Sequence, residues 1–161
     1  MALLINPGGN DDKKSIDLST SKGNRIRNWQ RGEQAQEALK EAARFATEGH
    51  ARRTVRSLTA RYNCVGMAFA NRRTCIEPEE VAMILKDDEY FEVQRPADVM
   101  PGDLVIYEKE VGEVSHVAVV VSNDPRLTDG GSDIRVLSQW GADGEYLHDY
   151  EDVPPPLGRP H

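Results

Sequence analysis

The feature that most constrains the fold of this chain is an uninterrupted apolar run in its second half. The run reads Val117-Ala118-Val119-Val120-Val121 and follows directly after His116. A strand with one face in water alternates apolar and polar residues, whereas a strand covered on both faces does not. The run therefore predicts a central β-strand over residues 115–121.

Two more strands are predicted close to this central one. Pro101-Gly102 has the composition of a turn, and residues 103–107 after it have that of a strand. Residues 134–140, which follow an Asp- and Gly-rich loop, predict a third strand. Because the connections are short, we expect the three strands to pair antiparallel.

Helices are predicted mainly in the first half of the chain. Residues 33–48 carry alanine and leucine at helical spacing, and Gly49 follows as a stop signal. Residues 51–61 are predicted as a second, basic helix. Residues 77–87 predict another helix, because Pro78 and the acids around it favour a first turn. Helices followed by antiparallel strands predict an α+β domain.

The length of the chain, 161 residues, suits one domain with flanking segments. Residues from about Asn6 to Gly23 are polar, and we expect residues 1–23 to form a flexible N-terminal arm. Residues 24–153 form the predicted domain. Residues 154–161 are Pro-rich, and we expect them to run over the surface without helix.

Charge and cysteine content exclude several functions. The formal net charge of −7 argues against nucleic acid or an anionic membrane as partner. The start of the chain lacks the features of a secretory signal, and no apolar run is long enough to span a membrane. We therefore expect a cytoplasmic protein, although export without a cleaved signal would leave no trace. Two cysteines without paired Cys/His spacing predict neither a disulfide framework nor a metal or other cofactor.

Cys64 and His116 are the residues most able to carry chemistry. Cys64 follows Asn63, a favoured N-cap, and opens a helix predicted over 65–71. The positive end of a helix lowers a thiol pKa and favours the nucleophilic thiolate. A histidine at the mouth of a buried strand suits a general base. The alternatives are a cysteine buried as a small apolar residue and a histidine that caps a strand end.

Three segments together resemble the NlpC-type papain-like cysteine peptidases and amidases. They are Asn63-Cys64-Val65-Gly66, then Pro101-Gly102-Asp103-Leu104, then His116-Val117-Ala118-Val119. That family has an Asp-Cys-Ser-Gly-like motif at a helix start, a Pro-Gly-Asp-Leu strand and a His-Val strand, in this order. The resemblance covers about residues 62–140 and implies a papain-like fold in which a helical N-terminal half packs on a small antiparallel sheet.

The resemblance implies that Cys64 is the nucleophile and His116 the base. A third, polar residue on the next strand orients the imidazole in this family. Ser138 is favoured by spacing, Gln139 is the better hydrogen-bond acceptor for a ring N–H, and His148 is a third candidate if its loop folds back. A surface histidine is the alternative for His148.

Other residues are expected around the same site. The backbone N–H of Cys64 is a natural oxyanion donor. Tyr62 and Trp140 are candidates for substrate contact, with a pocket wall and core packing as their respective alternatives. Cys75 is expected to be structural.

The expected activity is that of a thiol hydrolase, a peptidase or amidase acting on an amide or related acyl bond. Bacterial peptidoglycan peptides are candidate substrates. The chain departs from many cell-wall-cleaving relatives, because Arg56–Arg61 replaces a Tyr followed by paired glycines. A non-catalytic peptide- or partner-binding domain and a secreted toxin-like effector remain as alternatives.

Overall fold

The computed structural model describes residues 14–124, 126 and 133–160, which form an α+β arrangement. The helices of this part of the chain are α1 (Gln36–Thr47), α2 (Cys64–Phe69) and α3 (Val81–Asp87). The strands are β1 (Asn28–Trp29), β2 (Thr54–Ser57), β3 (Cys75–Ile76), β4 (Leu104–Glu108), β5 (Val114–Asn123), β6 (Ile134–Gln139), β7 (Glu145–Asp149) and β8 (Arg159–Pro160). The predicted α+β class is confirmed.

Strand β5 lies within a six-stranded antiparallel sheet of order β2-β7-β6-β5-β4-β8. Its residues Val117 and Ala118 are fully buried, as expected for a strand covered on both faces. The predicted strands over 103–107, 115–121 and 134–140 correspond to β4, β5 and β6. β1 and β3 pair separately as a small second sheet.

The large sheet has two distinct faces, because successive side chains of a strand point in opposite directions. Val117 packs with residues of α2 and α3, and we call this side the α2 face. Tyr107 packs with Ala118, Val120 and Val136 on the other side, which we call the Tyr107 face. At one end of the sheet, Ala43 of α1 packs on Trp140 and Tyr146.

Three of the four predicted helices are present, and one of these three begins with a tighter turn than predicted. α1 buries Leu39 and Ala43, and α2 begins at Cys64. A 3-10 turn over Pro78–Glu80 precedes α3, so the predicted helix at 77–87 begins with a tighter turn. The second, basic helix predicted over 51–61 is wrong, because this segment contains the edge strand β2.

Strand β2 is specified by contacts that are distant in sequence. It pairs with β7, which was not predicted either. Just before β2, the Arg52 guanidinium holds both carboxylate oxygens of Asp149 at the end of β7, at 2.7 and 2.9 Å. Arg53 holds Asp152 in the same bidentate manner, at 2.8 and 2.6 Å. These pairs fix an extended chain where local spacing favoured a helix.

The described parts of both flanking segments contact the rest of the protein. Residues 1–13 of the expected arm lie outside the described residues, but residues 14–23 are hydrogen-bonded to α3. Thr20 Oγ1 donates to Asp87 Oδ2 at 2.7 Å, and Ser21 Oγ donates to the Asp87 carbonyl at 2.8 Å. The Pro-rich segment forms a 3-10 turn over Pro155–Leu157 and then β8, which pairs with β4. This segment therefore extends the sheet at the β4 edge.

None of the helices in the described part of the chain is long and apolar enough to cross a membrane.

Candidate functional site

Cys64 lies at the firmly capped start of α2. The side-chain oxygen of Asn63 accepts from the Gly66 N–H at 2.9 Å, as the N-cap prediction requires. The same side chain also bonds Ile76 through both its oxygen and its nitrogen. A Cβ at Gly66 would lie 1.7 Å from the Thr74 carbonyl oxygen, so only glycine fits there. The position of Cys64 is therefore fixed by its neighbours on both sides.

The Cys64 thiol is neutral at physiological pH, contrary to the expectation of a lowered pKa. Burial raises the pKa to about 11, although the backbone N–H groups of Val117, Val65 and Cys64 itself act in the opposite direction. The reason is that taking the thiolate out of water costs more free energy than the hydrogen bonds from these N–H groups restore. The residue is 7% exposed.

His116 lies on β5 directly opposite Tyr107 on β4, so both side chains point to the Tyr107 face. Their ring centroids are 5.1 Å apart. The histidine is fully buried, and neither Nδ1 nor Nε2 has a hydrogen-bond partner within the described residues. Burial lowers the pKa of His116 to about 3, with a smaller contribution from nearby His148. The ring is therefore neutral.

The Cys64 sulfur lies beside the main chain of His116, but the structure does not bring the two side chains together. The Val117 N–H that acts on the sulfur belongs to the peptide bond between His116 and Val117. Cys64 packs with Val117 on the α2 face, whereas the imidazole points to the Tyr107 face. The sulfur thus lies beside the main chain of His116, and the ring is turned away from it.

Ser138 and His148 are bonded to each other rather than to His116. His148 Nδ1 lies 2.8 Å from the Asp149 carbonyl, which only accepts, so this nitrogen carries the hydrogen. Nε2 must then accept, and the Ser138 hydroxyl donates to it at 2.7 Å. The Trp140 Nε1–H donates in turn to Ser138 Oγ at 2.9 Å. His148 is therefore a satisfied core histidine of β7, not a surface loop residue.

The Gln139 side chain points to the opposite face of the sheet from Ser138 and is not hydrogen-bonded to the His116 imidazole. Its Nε2 donates to the carbonyls of Thr59 and Gly141, at 2.8 and 3.3 Å. Its Oε1 is buried and has no partner in the part of the chain that the structure describes. Among these residues, none of the three candidates for the orienting role bonds His116.

Tyr62 is held in a polar cluster that the sequence did not reveal. Its hydroxyl donates to Glu145 Oε2 at 2.9 Å, and the Arg72 guanidinium holds both oxygens of Glu145, at 2.8 and 3.1 Å. Arg72 and Asn71 both have positive φ, 63° and 48°, which non-glycine residues adopt rarely. Because Arg72 and Glu145 are distant in sequence, no local pattern indicated the cluster.

Trp140 and Cys75, the other two residues considered in the sequence analysis, are both buried. Trp140 stacks on Tyr146 with ring centroids 4.4 Å apart, and the Arg53 guanidinium lies 5.1 Å from the Trp140 ring centre. This favours the core-packing alternative for Trp140. Cys75 is buried in β3, and its sulfur lies 3.8 Å from the Arg61 carbonyl oxygen.

Among the residues described, no three His, Cys, Asp or Glu side chains are grouped so that they would hold a metal ion. Comparisons of the chain with protein-family models, with curated proteins and with solved structures give no match.

Proposed function

We propose that this protein is a thiol-dependent hydrolase in which Cys64 is the nucleophile and His116 the general base. The observation that carries the proposal has two parts: the His116 imidazole has no hydrogen-bond partner among the described residues, and the N–H of the next residue, Val117, lies at the Cys64 sulfur. A buried polar group without a partner costs about 1–3 kcal/mol. Such groups are rare in native folds, and a catalytic role is one reason to retain them.

The chemistry starts from a neutral thiol and a neutral imidazole. As the Cys64 sulfur attacks the carbonyl carbon of an amide, an imidazole nitrogen of His116 takes the thiol proton. The negative charge passes to the carbonyl oxygen, where the Cys64 backbone N–H at the start of α2 donates a hydrogen bond. The imidazolium then protonates the leaving amine, and a thioester remains on Cys64.

Water completes the cycle. His116 takes a proton from the attacking water, the tetrahedral intermediate collapses, and the thiolate leaves and takes that proton back. An amine in place of water would make the reaction an acyl transfer. Because the imidazole and the sulfur lie on opposite faces of the sheet at rest, the start of β5 has to shift its pairing with β4 by one residue when substrate binds. Ser115 is already an extra residue in this pairing, so the shift has a place to start. Catalytic hydrogen bonds often tighten only in such complexes.

The substrate class follows from the reaction and from the resemblance to NlpC-type enzymes. Peptides with an amide bond reachable by a nucleophile at a helix start are the first candidates, and peptidoglycan peptides are the natural set to assay. Tyr62, two residues before the nucleophile, belongs to the polar cluster with Glu145 and Arg72. The Tyr62 hydroxyl is already donated to Glu145, so we assign Tyr62 to the wall of the site.

A non-catalytic binding domain is the second candidate. The resting state favours it in one respect, because the thiol and imidazole are both neutral and not hydrogen-bonded to each other. In that case Cys64 would be an inert buried residue, and its replacement by alanine would leave binding unchanged.

An assay on peptidoglycan fragments and synthetic peptides separates these functions. We expect turnover by the wild type, loss of turnover in Cys64→Ala, and retention in the matched variant Cys75→Ala, since Cys75 is the other buried cysteine. Turnover that survives in Cys64→Ala contradicts the proposed nucleophile. Binding without turnover in both the wild type and Cys64→Ala supports the second candidate.

A further inference from the structure

The segment after β7 crosses the face of the sheet that carries His116. We call residues 150–160 the strap. Near its start, Tyr150 and Val153 pack on the cluster that contains Tyr107. Further on, Leu157 packs on the cluster of Trp140 and Tyr146. The strap thus lies along the Tyr107 face before it reaches the edge of the sheet.

At that edge the strap is attached to the two strands that flank His116. Its last residues pair with β4, with Pro160 opposite Tyr107 and Arg159 opposite Glu108. On β5, Ser115 Oγ donates to the Leu157 carbonyl at 2.6 Å. Ser115 immediately precedes His116. The strap is therefore fixed both to the neighbour of His116 in sequence and to its neighbour across the sheet.

The ring that contacts His116 is also bonded to the strap. The Tyr107 hydroxyl donates to the Tyr150 carbonyl at 2.7 Å. Tyr107 in turn lies against the imidazole, with 5.1 Å between the ring centroids. With the strap in place His116 has no exposed surface. The titratable groups around the imidazole are Tyr107 and His148, and beyond them Tyr150.

The strap is built to be held by few backbone hydrogen bonds. Proline has no N–H to donate, and four of the strap residues are prolines: Pro154, Pro155, Pro156 and Pro160. Segments with few such bonds open at low free energy, well before the core does. One residue is critical for docking, since Gly158 has φ 92° and a Cβ there would lie 2.6 Å from both Glu108 O and Ser115 Oγ.

We propose that the strap is an autoinhibitory cover, which when docked holds the His116 imidazole on the Tyr107 face, away from solvent and from Cys64. Its release frees Ser115 and β4, so that the pairing at the start of β5, which already has Ser115 as an extra residue, can shift by one residue and turn the ring to the α2 face. This inference rests on the proposed function, because it names the movement that joins general base and nucleophile. It also accounts for a site in which the Cys64 sulfur lies beside the main chain of His116 while the imidazole is not hydrogen-bonded to the thiol.

Gly158→Val tests the cover, because a valine cannot adopt the Gly158 conformation without displacing the strap. The matched control is Gly49→Val, which also has positive φ, 75°, but open space around it. Because burial lowers the pKa of His116, we expect Gly158→Val to raise this pKa, measured by NMR, by at least one unit above that of the wild type. Labelling of Cys64 by iodoacetamide should rise at least tenfold. Gly49→Val should change neither quantity.

The outcomes distinguish the cover from the proposed function. A raised pKa of His116 without faster labelling supports the cover and contradicts the thiol chemistry. An unchanged pKa of His116 in folded Gly158→Val overturns the cover, because a displaced strap must expose the ring to water. Faster amide exchange at residues 157–159 does not alter this conclusion, since it shows only that the strap detaches. If Gly158→Val fails to fold, Ser115→Ala removes the bond to Leu157 and carries the same test with the same two outcomes.

Discussion

His116 and His148 lie on the same face of the sheet, and both are fully buried. They differ in their partners. His148 is hydrogen-bonded at both ring nitrogens, to Ser138 and to the Asp149 carbonyl. His116 is bonded at neither nitrogen within the described residues. The two buried histidines thus differ in whether the described fold supplies hydrogen-bond partners for their ring nitrogens.

The difference separates a structural histidine from a candidate functional one. Burial keeps both rings neutral, with pKa values of about 4 for His148 and about 3 for His116. The neutral form of His148 is stabilised by its two hydrogen bonds, whereas His116 receives none from the described residues to offset its desolvation. The fold therefore gains stability from His148 and loses it at His116, and the proposed chemistry gives a reason for that loss.

The largest expected effect is a loss of stability in acid, to which both histidines contribute. Their folded-state pKa values lie below the ordinary 6.5, so the unfolded chain binds more protons between these limits. The contribution is complete above the unfolded pKa and is lost as pH falls toward the folded values. The slope is at most about 1.4 kcal/mol per pH unit for each histidine. Urea unfolding at a series of pH values measures it.

The dependence of the unfolding free energy on pH also separates the contributions of His116 and His148. His116→Leu should keep the contribution of His148 and lose its own, so its slope below pH 6.5 should be the smaller one. An unchanged slope in this variant would mean that His116 is protonated in the folded state, which contradicts its buried, neutral environment.

Replacing the satisfied histidine should destabilise the protein. In His148→Leu the side-chain volume is similar, but Ser138 Oγ and the Asp149 carbonyl lose their partner. Two lost hydrogen bonds with buried groups left behind cost about 2–4 kcal/mol. The free energy of unfolding in urea at pH 7 gives this value, and a cost near zero would show that the network contributes nothing.

Replacing the unsatisfied histidine should have a smaller effect of opposite sign. His116→Leu removes two buried nitrogens that have no partner in the described part of the chain, and it breaks no hydrogen bond that the ring makes there. We expect a gain of about 1 kcal/mol, since an apolar side chain does not incur the desolvation penalty. The same urea experiment measures it. If His116→Leu costs as much as His148→Leu, the contrast between the two histidines fails.

The parts of the fold that local pattern specifies were predictable from the sequence. Helix α1 follows from its spaced apolar residues, and β5 follows from the run after His116. The capping of α2 by Asn63 was also readable, because an N-cap acts within three residues.

Strands β2 and β7 were not predictable in the same way. The buried residues of β7 include Glu145, His148 and Asp149, which read as a polar loop. They are buried because their partners come from distant segments: Arg72 and Tyr62, Ser138, and Arg52. A polar residue with a distant partner has the sequence appearance of a surface residue.

The ionisation of the site was mispredicted for a related reason. The sequence indicates a helix start and therefore a lowered thiol pKa, but it does not report how deeply Cys64 is buried. Burial is the larger effect and reverses the sign. The side of the sheet to which His116 points depends on its register with Tyr107, which is also a property of the folded sheet.

The most direct test of the thiol function compares iodoacetamide labelling of Cys64 in the wild type and in His116→Leu, with Cys75 of the same molecule as reference. Both cysteines are free and buried, so any change in global opening alters the two alike. A positioned general base contributes about 10²–10⁴-fold. We predict that the Cys64-to-Cys75 labelling ratio falls at least tenfold in His116→Leu; an unchanged ratio would contradict the assignment of His116 as the base for Cys64.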